Sequence, residues 1–320
     1  MKRFCLILLL IAAVACSVSA AAVERWGRFE LAMKAKTSAN PFDVELTATF
    51  SGPDTTMTVN GFYAGNGVFK VRFMPKTVGK WTYVTHSSLE ALDSQQGSFE
   101  CVSPSAGNHG PVVVDGRYAF KYADGTRYYP IGTTAYDWMH VSADMQKLTV
   151  KSLSEARFNK IRMLLFVQNF DPGYPEPELF PFEIKSIKKD KSGRPVYEWD
   201  YTRFNPAYFD NVEKCIDMLA EIGEADLILF HPYDDGRWNF DRMPQDVNLR
   251  YLRYVAARVS SFRNVWWSLA NEYDFFRHWQ PEGWDELTRE IVKHDPYSHL
   301  CSIHSHTAKY YKYWEPEYTH

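Results

Sequence analysis

Asn264-Val265-Trp266-Trp267-Ser268-Leu269-Ala270-Asn271-Glu272-Tyr273 is the stretch on which the reading of this 320-residue chain turns. An apolar run of this length reads as a buried strand of the kind found in parallel sheets with helices packed outside. It ends abruptly on an amide and a carboxylate, and barrel enzymes concentrate their chemistry where strands end. Cleaving a glycosidic bond needs a carboxylic acid to protonate the departing oxygen, in a partly apolar setting that holds the proton near neutral pH. Glu272, flanked by Trp267 and Tyr273, is the candidate for that role, and Asn271 can donate to a sugar hydroxyl. Alone, an Asn-Glu dipeptide reads as readily as a strand-ending turn or a helix cap.

The surrounding units repeat the pattern. A strand through Pro130–Thr134 and a strand Phe158–Phe166 flank a helix at Met145–Ala156. A helix Asn205–Ile222, with Phe209, Val212, Ile216 and Leu219 on one face, precedes a strand Ala225–His231. Helix Asn248–Ser260 leads into the quoted strand, and helix Trp284–Lys293 leads into a fifth strand, His299–His304. Strand–helix alternation implies a parallel sheet. No glycine-rich phosphate-cradling turn follows the first strand, which counts against a nucleotide-binding open sheet. The polar residues gather at strand ends: Tyr136-Asp137, Gln168-Asn169, His231 to Asp235 and Asn271-Glu272. A (β/α)₈ TIM barrel is therefore the expected architecture. It reads as incomplete: five strands are countable, a sixth begins at Tyr318, and Pro130 to His320 is shorter than the about 250 residues a whole barrel takes.

Before the barrel, Val23 to Pro104 has period two, broken by Asn40-Pro41, Gly52-Pro53-Asp54, Gly65-Asn66-Gly67 and Val78-Gly79-Lys80. Six or seven short strands predict an all-β, immunoglobulin-like sandwich. Residues 105–117 read as a linker, and residues 118–320 as a partial catalytic barrel that opens on a hairpin at Tyr118–Tyr122. Lys2-Arg3, the apolar run Phe4–Val14 and Val18-Ser19-Ala20 make residues 1–22 an export signal, too short for a membrane span. Ala13-Val14-Ala15-Cys16 also offers a weak lipoprotein box. The expectation is a secreted protein, periplasmic or surface-bound if bacterial.

A net charge of −3 without a basic block gives no footing for nucleic acid or a membrane surface. Beyond the signal only Cys101, Cys215 and Cys301 remain, too scattered for a disulfide framework or a zinc site. Aromatic residues make up 16% of the chain, which suits sugar-binding faces and ordinary cores alike. Tyr136, Asp137 and Trp138 after the first strand, and Asp234 and Trp238 after the third, are placed to line a sugar site.

With these residues in hand, the chain from Tyr118 onward resembles the glycoside hydrolases of clan A, the cellulase-like barrel superfamily. That resemblance implies a fourth strand ending in Asn-Glu, here Asn271-Glu272 with Glu272 as acid and base. It implies an Arg on the second strand near the nucleophile, matched by Arg162, and a polar residue ending the third, matched by His231. The β domain followed by Asn108-His109-Gly110-Pro111 is similar to that of bacterial hydrolases related to the apiosidase-like branch. That branch tends to carry Gly-Asp where this chain has Asn-Glu, so no substrate follows. The clan's nucleophile ends a seventh strand, which places it beyond residue 320; Glu315 and Glu317 precede the sixth strand, at the opposite barrel face. On this reading the 320-residue form lacks half of its machinery.

The implied reaction is retaining hydrolysis of a poly- or oligosaccharide with no cofactor and no metal. Two other classes stay open. One is a non-catalytic carbohydrate-binding protein. The other is a metal-dependent barrel hydrolase using His304 and His306, whose His-x-His spacing points both rings to one strand face. Against the metal, the motif ends the fifth strand without a carboxylate-rich partner set, which leaves His304 to meet sugar hydroxyls.

Overall fold

The structure, a computed structural model, describes residues 22–168, 177–234, 236–276 and 281–306. The signal segment up to residue 21 with Cys16, as well as Asn169, Asp235, Glu315, Glu317 and Tyr318, lies outside the described residues.

The N-terminal unit has seven strands: β1 (Ala22–Glu24), β2 (Phe29–Lys34), β3 (Leu46–Ser51), β4 (Thr56–Gly65), β5 (Val68–Phe73), β6 (Gly79–Ser87) and β7 (Gln96–Val102). They form one nearly closed sheet in the order β1-β7-β6-β3-β4-β5-β2 rather than the two separate sheets expected of a sandwich. The reason lies in β4, whose first half pairs with β3 and whose second half pairs with β5. A single ten-residue strand thus carries the sheet around the corner. Alternating inward residues fill the middle, where Phe29 stacks on Phe99 at 4.3 Å and Phe50 on Phe73 at 4.1 Å.

Strand β8 (Val112–Asp115) lies inside the stretch read as a linker, so chain that looked like a spacer is paired structure. It joins β9 (Ala119–Tyr122) and β10 (Arg127–Tyr128) in a small antiparallel sheet. Then come β11 (Gly132–Thr134), α1 (Ala143–Glu155), β12 (Lys160–Leu164), β13 (Phe182–Lys189), β14 (Pro195–Phe204), α2 (Pro206–Leu219), β15 (Glu224–Phe230), α3 (Gln245–Val259), β16 (Val265–Ala270), α4 (Pro281–His294) and β17 (Cys301–Ser302). The caps are those the composition provides: Ser142 accepts from the Met145 N–H, and Asn205 accepts from the Ala207 N–H ahead of Pro206.

Five of these strands make one parallel sheet in chain order, β11-β12-β15-β16-β17. Ile161, Met163, Ala225, Leu227, Val265, Trp267 and Leu269 face the helices and build the main core. The hairpin β13–β14 was not foreseen. Its alternation from Phe182 to Phe204 around Asp190–Gly193 is a hairpin signal. No helix among the described residues is long and apolar enough to cross a membrane. Cys101, Cys215 and Cys301 are free and buried, Cys215 on the inward face of α2.

The two units are joined by buried charge. Arg72 on β5, 6% exposed, donates to Glu30 (2.8 Å), to Glu213 on α2 (2.9 Å) and to the Arg258 carbonyl on α3 (2.8 Å). Arg258, fully buried, binds Glu213, Asp210 and the Tyr254 hydroxyl. Burial works to raise the Glu213 carboxyl, but the hydrogen bond from Arg72 and the two guanidinium charges outweigh it and hold it lowered. Tyr297, just after α4, enters the N-terminal core, packs there and accepts from the Met74 N–H at 2.9 Å. Removing one member strands the others without water. Arg72→Met should therefore cost about 3–5 kcal/mol in chemical denaturation, and Lys151→Ala, which opens the exposed Lys151–Glu155 pair, less than about 1 kcal/mol.

Candidate active site

The parallel register decides which side chains can meet. Thr134, Arg162, Asp226 and Trp266 are consecutive partners across β11, β12, β15 and β16, so they share one face; Ile228 and Ser268 follow two residues on. That face, opposite the helices, also carries Lys160. Lys160 pairs with Asp226, and the Arg162 Nε stands 4.0 Å from the same carboxylate oxygen. Asp226 is 3% exposed. Toward the carboxyl ends, Arg162 Nη2 donates to Ser268 Oγ at 3.2 Å and Nη1 to Asn271 Oδ1 at 2.8 Å.

Asn271 is 1% exposed and held from several sides. Its Oδ1 also receives the Tyr136 hydroxyl at 3.3 Å, and its Nδ2 donates to the Tyr233 hydroxyl at 3.1 Å. A guanidinium donates only, so the Asn271 oxygen must face Arg162 and its NH₂ must face the strand end. The backbone is fixed as well: the Asn271 N–H donates to the Phe230 carbonyl at 3.0 Å, and the His304 N–H to the Ala270 carbonyl at 3.0 Å.

Glu272 follows in the left-handed conformation, φ 48° and ψ 52°. For a residue with a Cβ this costs roughly 1–2 kcal/mol, a kind of strain that clusters at functional sites. It turns the chain out of β16 into the short turn Tyr273–Phe275, where the Phe275 N–H meets the Glu272 carbonyl at 3.0 Å. The Glu272 side chain is 20% exposed and caps no helix. Its Oε1 lies 3.4 Å from His306 Nδ1; the His306 ring packs on Phe275 at 4.5 Å, and its N–H is tied to Asp274 at 2.8 Å. The His304 ring is exposed beside them, its pKa lowered by partial desolvation and then by the Arg162 charge.

Arg162, Tyr136, Asn271, Glu272 and His304 thus lie near one another at the carboxyl ends of the strands. Asp137 and Trp138 stand next to them on the wall of a cavity of about 470 Å³, which Glu272 does not line. Two residues do not serve as read. His231 is 4% exposed, with Nε2 donating to the Phe166 carbonyl (3.0 Å) and Nδ1 accepting from the Tyr233 N–H (3.1 Å). That pattern defines a neutral ring with no atom left for a sugar, so His231 ties strand ends together. Asp234, 1% exposed, accepts from the N–H groups of Trp238, Asn239 and Phe240 and so anchors the loop after β15. Trp138 is also buried, its indole N–H committed to the Gln146 carbonyl, and offers the site a surface rather than a donor.

Lys160, Asp226, Ser268, Tyr233 and His306 were not assigned to the site from sequence. The first three were legible in principle, since polar residues two apart in otherwise apolar strands must share a face. The metal reading of His304 and His306 meets a different arrangement: His306 faces a carboxylate, and among the described residues no three His, Cys, Asp or Glu side chains are grouped to hold an ion.

Residues 114–318 match a family model described as "Apiosidase-like, catalytic domain", and residues 22–88 match a domain of unknown function, DUF5060. A crystal structure of a candidate glycoside hydrolase from Bacteroides vulgatus ATCC 8482 is 53% identical with a TM-score of 0.91, over 93% of this chain and 59% of that one. The chain therefore spans about three-fifths of that relative's length. The endo-1,4-beta-mannanase of Rhizomucor miehei is similar at 18% identity and a TM-score of 0.42, over 61% of this chain and 60% of that one, too distant to carry an argument. No curated protein matches.

Burial holds His231 neutral, its pKa lowered to about 4. The unfolded ring titrates near about 6.5, so the unfolded state binds the extra proton first. The stabilising contribution is whole above about pH 6.5 and lost as the pH falls toward 4. His231→Gln should accordingly flatten the acid arm of the stability curve between those values, measured by urea denaturation at each pH. An unchanged slope would remove His231 as the titrating group.

Proposed function

The chain belongs to the apiosidase-like catalytic-domain family, and from that premise we propose that it hydrolyses O-glycosidic bonds of a poly- or oligosaccharide by a retaining, two-carboxylate mechanism with Glu272 as acid and base. The observation that carries this reading is the placement of Glu272. It follows a clamped Asn271 at the carboxyl end of β16, in strained backbone, part-exposed and beside His306.

In such a mechanism the acid protonates the departing oxygen while a second carboxylate, about 5–5.5 Å away, attacks the anomeric carbon. A glycosyl ester forms and the C–O bond to the leaving group breaks. The same acid, now a carboxylate, then takes a proton from water, which displaces the ester and restores the starting configuration. By the clan resemblance the second carboxylate belongs to a seventh strand, and no residue among those described is assigned to it.

The consecutive strand order β11-β12-β15-β16-β17 has no reversal, and this supports a (β/α)₈ barrel over a doubly wound sheet, which needs a switch point. In the N-terminal unit, pairings β2–β5, β3–β6 and β6–β7 with parallel β1–β7 support an immunoglobulin-like plan. We keep residues 23–104 as that accessory domain, 105–117 as the connection and 118–320 as the catalytic portion. The signal-like residues 1–22 support secretion, with Cys16 as the alternative point of lipid attachment.

The test is hydrolysis of a polysaccharide and aryl-glycoside panel by the full gene product, with NMR of the first-released anomer. Glu272→Gln is expected to cut turnover about 10²–10⁴-fold while leaving glycan binding in place. Parental turnover in the variant would overturn the assignment, and an inverted first product would overturn the retaining mechanism.

A further inference from the structure

The cavity of about 470 Å³ lies against the carboxyl end of β11 and the first turns of α1, walled by Thr134, Tyr136, Asp137, Trp138, Met145, Thr149 and Gln168 among others. Its size falls within the range of small-molecule sites, about 300–1,000 Å³. Tyr136 links it to the acid: one side chain lines the cavity while its hydroxyl reaches Asn271, the neighbour of Glu272.

The charge on that wall is one-sided. Asp137 is the only ionisable carboxyl among the described lining residues, and none of them is Lys or Arg. The nearby Arg162 guanidinium is committed to Asn271 and Ser268. His140, three residues after Asp137, is held neutral, its pKa lowered to about 3 by desolvation and then by the His231 ring. Gln168 Nε2 donates to Asp137 Oδ2 at 2.9 Å, so the amide turns its oxygen away from that bond; Asp137 Oδ1 and Gln168 Oε1 are both buried without a partner. Buried acceptors without donors are rare in folded proteins and call for an occupant or a role. Burial pushes the Asp137 carboxyl upward, against the hydrogen bonds from Gln168. Among the described lining residues acceptors are therefore in excess and none is a cation.

We propose that this cavity is a subsite for a neutral sugar, recognised through hydroxyl donation to Asp137 and Gln168, and that it rejects sugars bearing a carboxylate. A sugar hydroxyl donates to an anionic oxygen in a charge-assisted bond. A uronate there places like charges a few ångströms apart in a partly dry site, with no guanidinium or ammonium among the described lining residues to receive it. The proposal rests on the carbohydrate reading of the site but not on turnover.

The experiment uses the chain itself, labelled with ¹⁵N, and follows the Trp138 indole and Gln168 side-chain signals. The probes are the methyl glycosides of glucose, galactose, mannose and xylose, then glucuronate and galacturonate. At least one neutral sugar should give a saturable shift, with its uronate binding at least tenfold more weakly. Asp137→Asn should shrink that ratio to within about threefold. Met145→Lys, at a half-exposed helix position that tolerates change, should admit the uronate. Uronate binding equal to that of the neutral sugar, or no saturable response to any probe, overturns the proposal. Saturable binding in a protein that never hydrolyses glycosides leaves the subsite standing and sinks the hydrolase reading alone.

Discussion

Two-residue periodicity in three adjacent parallel strands is the constraint from which the site follows. Once β12, β15 and β16 are in register, Lys160 and Arg162, Asp226, and Trp266 and Ser268 have no choice but to share the face that the helices do not cover. The opposite face is apolar throughout and supplies the burial that holds the sheet. A one-residue slip would drive two cations into the helix-packed core and expose its Ile and Met residues, so hydrophobic burial itself enforces the placement of the charges. Asp226 shares its carboxylate between Lys160 and Arg162, Arg162 orients Asn271, and Asn271 sets the exit of the chain into Glu272.

The N-terminal unit belongs to this argument although no residue of the candidate site comes from it. Its contact with α2 and α3 runs through Arg72, Glu213 and Arg258, where three charges are removed from water together. Such an arrangement is tolerable only when each partner is present and correctly placed. Tyr297, on the segment leading from α4 to β17, lies in the β core, so the strand that brings His304 and His306 to Glu272 is anchored in the neighbouring unit. The two units are thus tied at two places, the Arg72–Glu213–Arg258 cluster and Tyr297.

Much of the C-terminal unit was legible because long amphipathic helices and apolar strands differ in period. α2, with Phe209, Val212, Ile216 and Leu219 inward, and β16 with its terminal Asn271-Glu272, lie where the pattern places them. What escaped was of another physical kind. β8 is too short, and too close to Gly107 and Gly110, to stand out from a linker. The β13–β14 hairpin alternates well, but it interrupts a strand–helix series that fixes attention on period 3.6. The closing of the β sheet through β4 depends on pairing partners distant in sequence, which no local pattern encodes. For His231 and Asp234, residue type alone does not distinguish a side chain that meets ligand from one that satisfies backbone groups. Sequence gave their position at a strand end; only the tally of hydrogen-bond partners gave the role.

The same tally bears on whether the site binds sugar or breaks it. A protein that merely grips glycan needs donors and acceptors turned outward, with aromatic faces free to stack. Around Glu272 the polar groups are turned toward one another: Arg162 and Tyr136 both give to the Asn271 oxygen, Asn271 gives to Tyr233, and Arg162 also holds Ser268. Groups locked in this way contribute little to simple adhesion; they fix Asn271 and with it the point at which the chain leaves β16 for Glu272. The left-handed backbone at Glu272 turns the chain sharply out of β16 at a position where Gly or Asn would carry less strain.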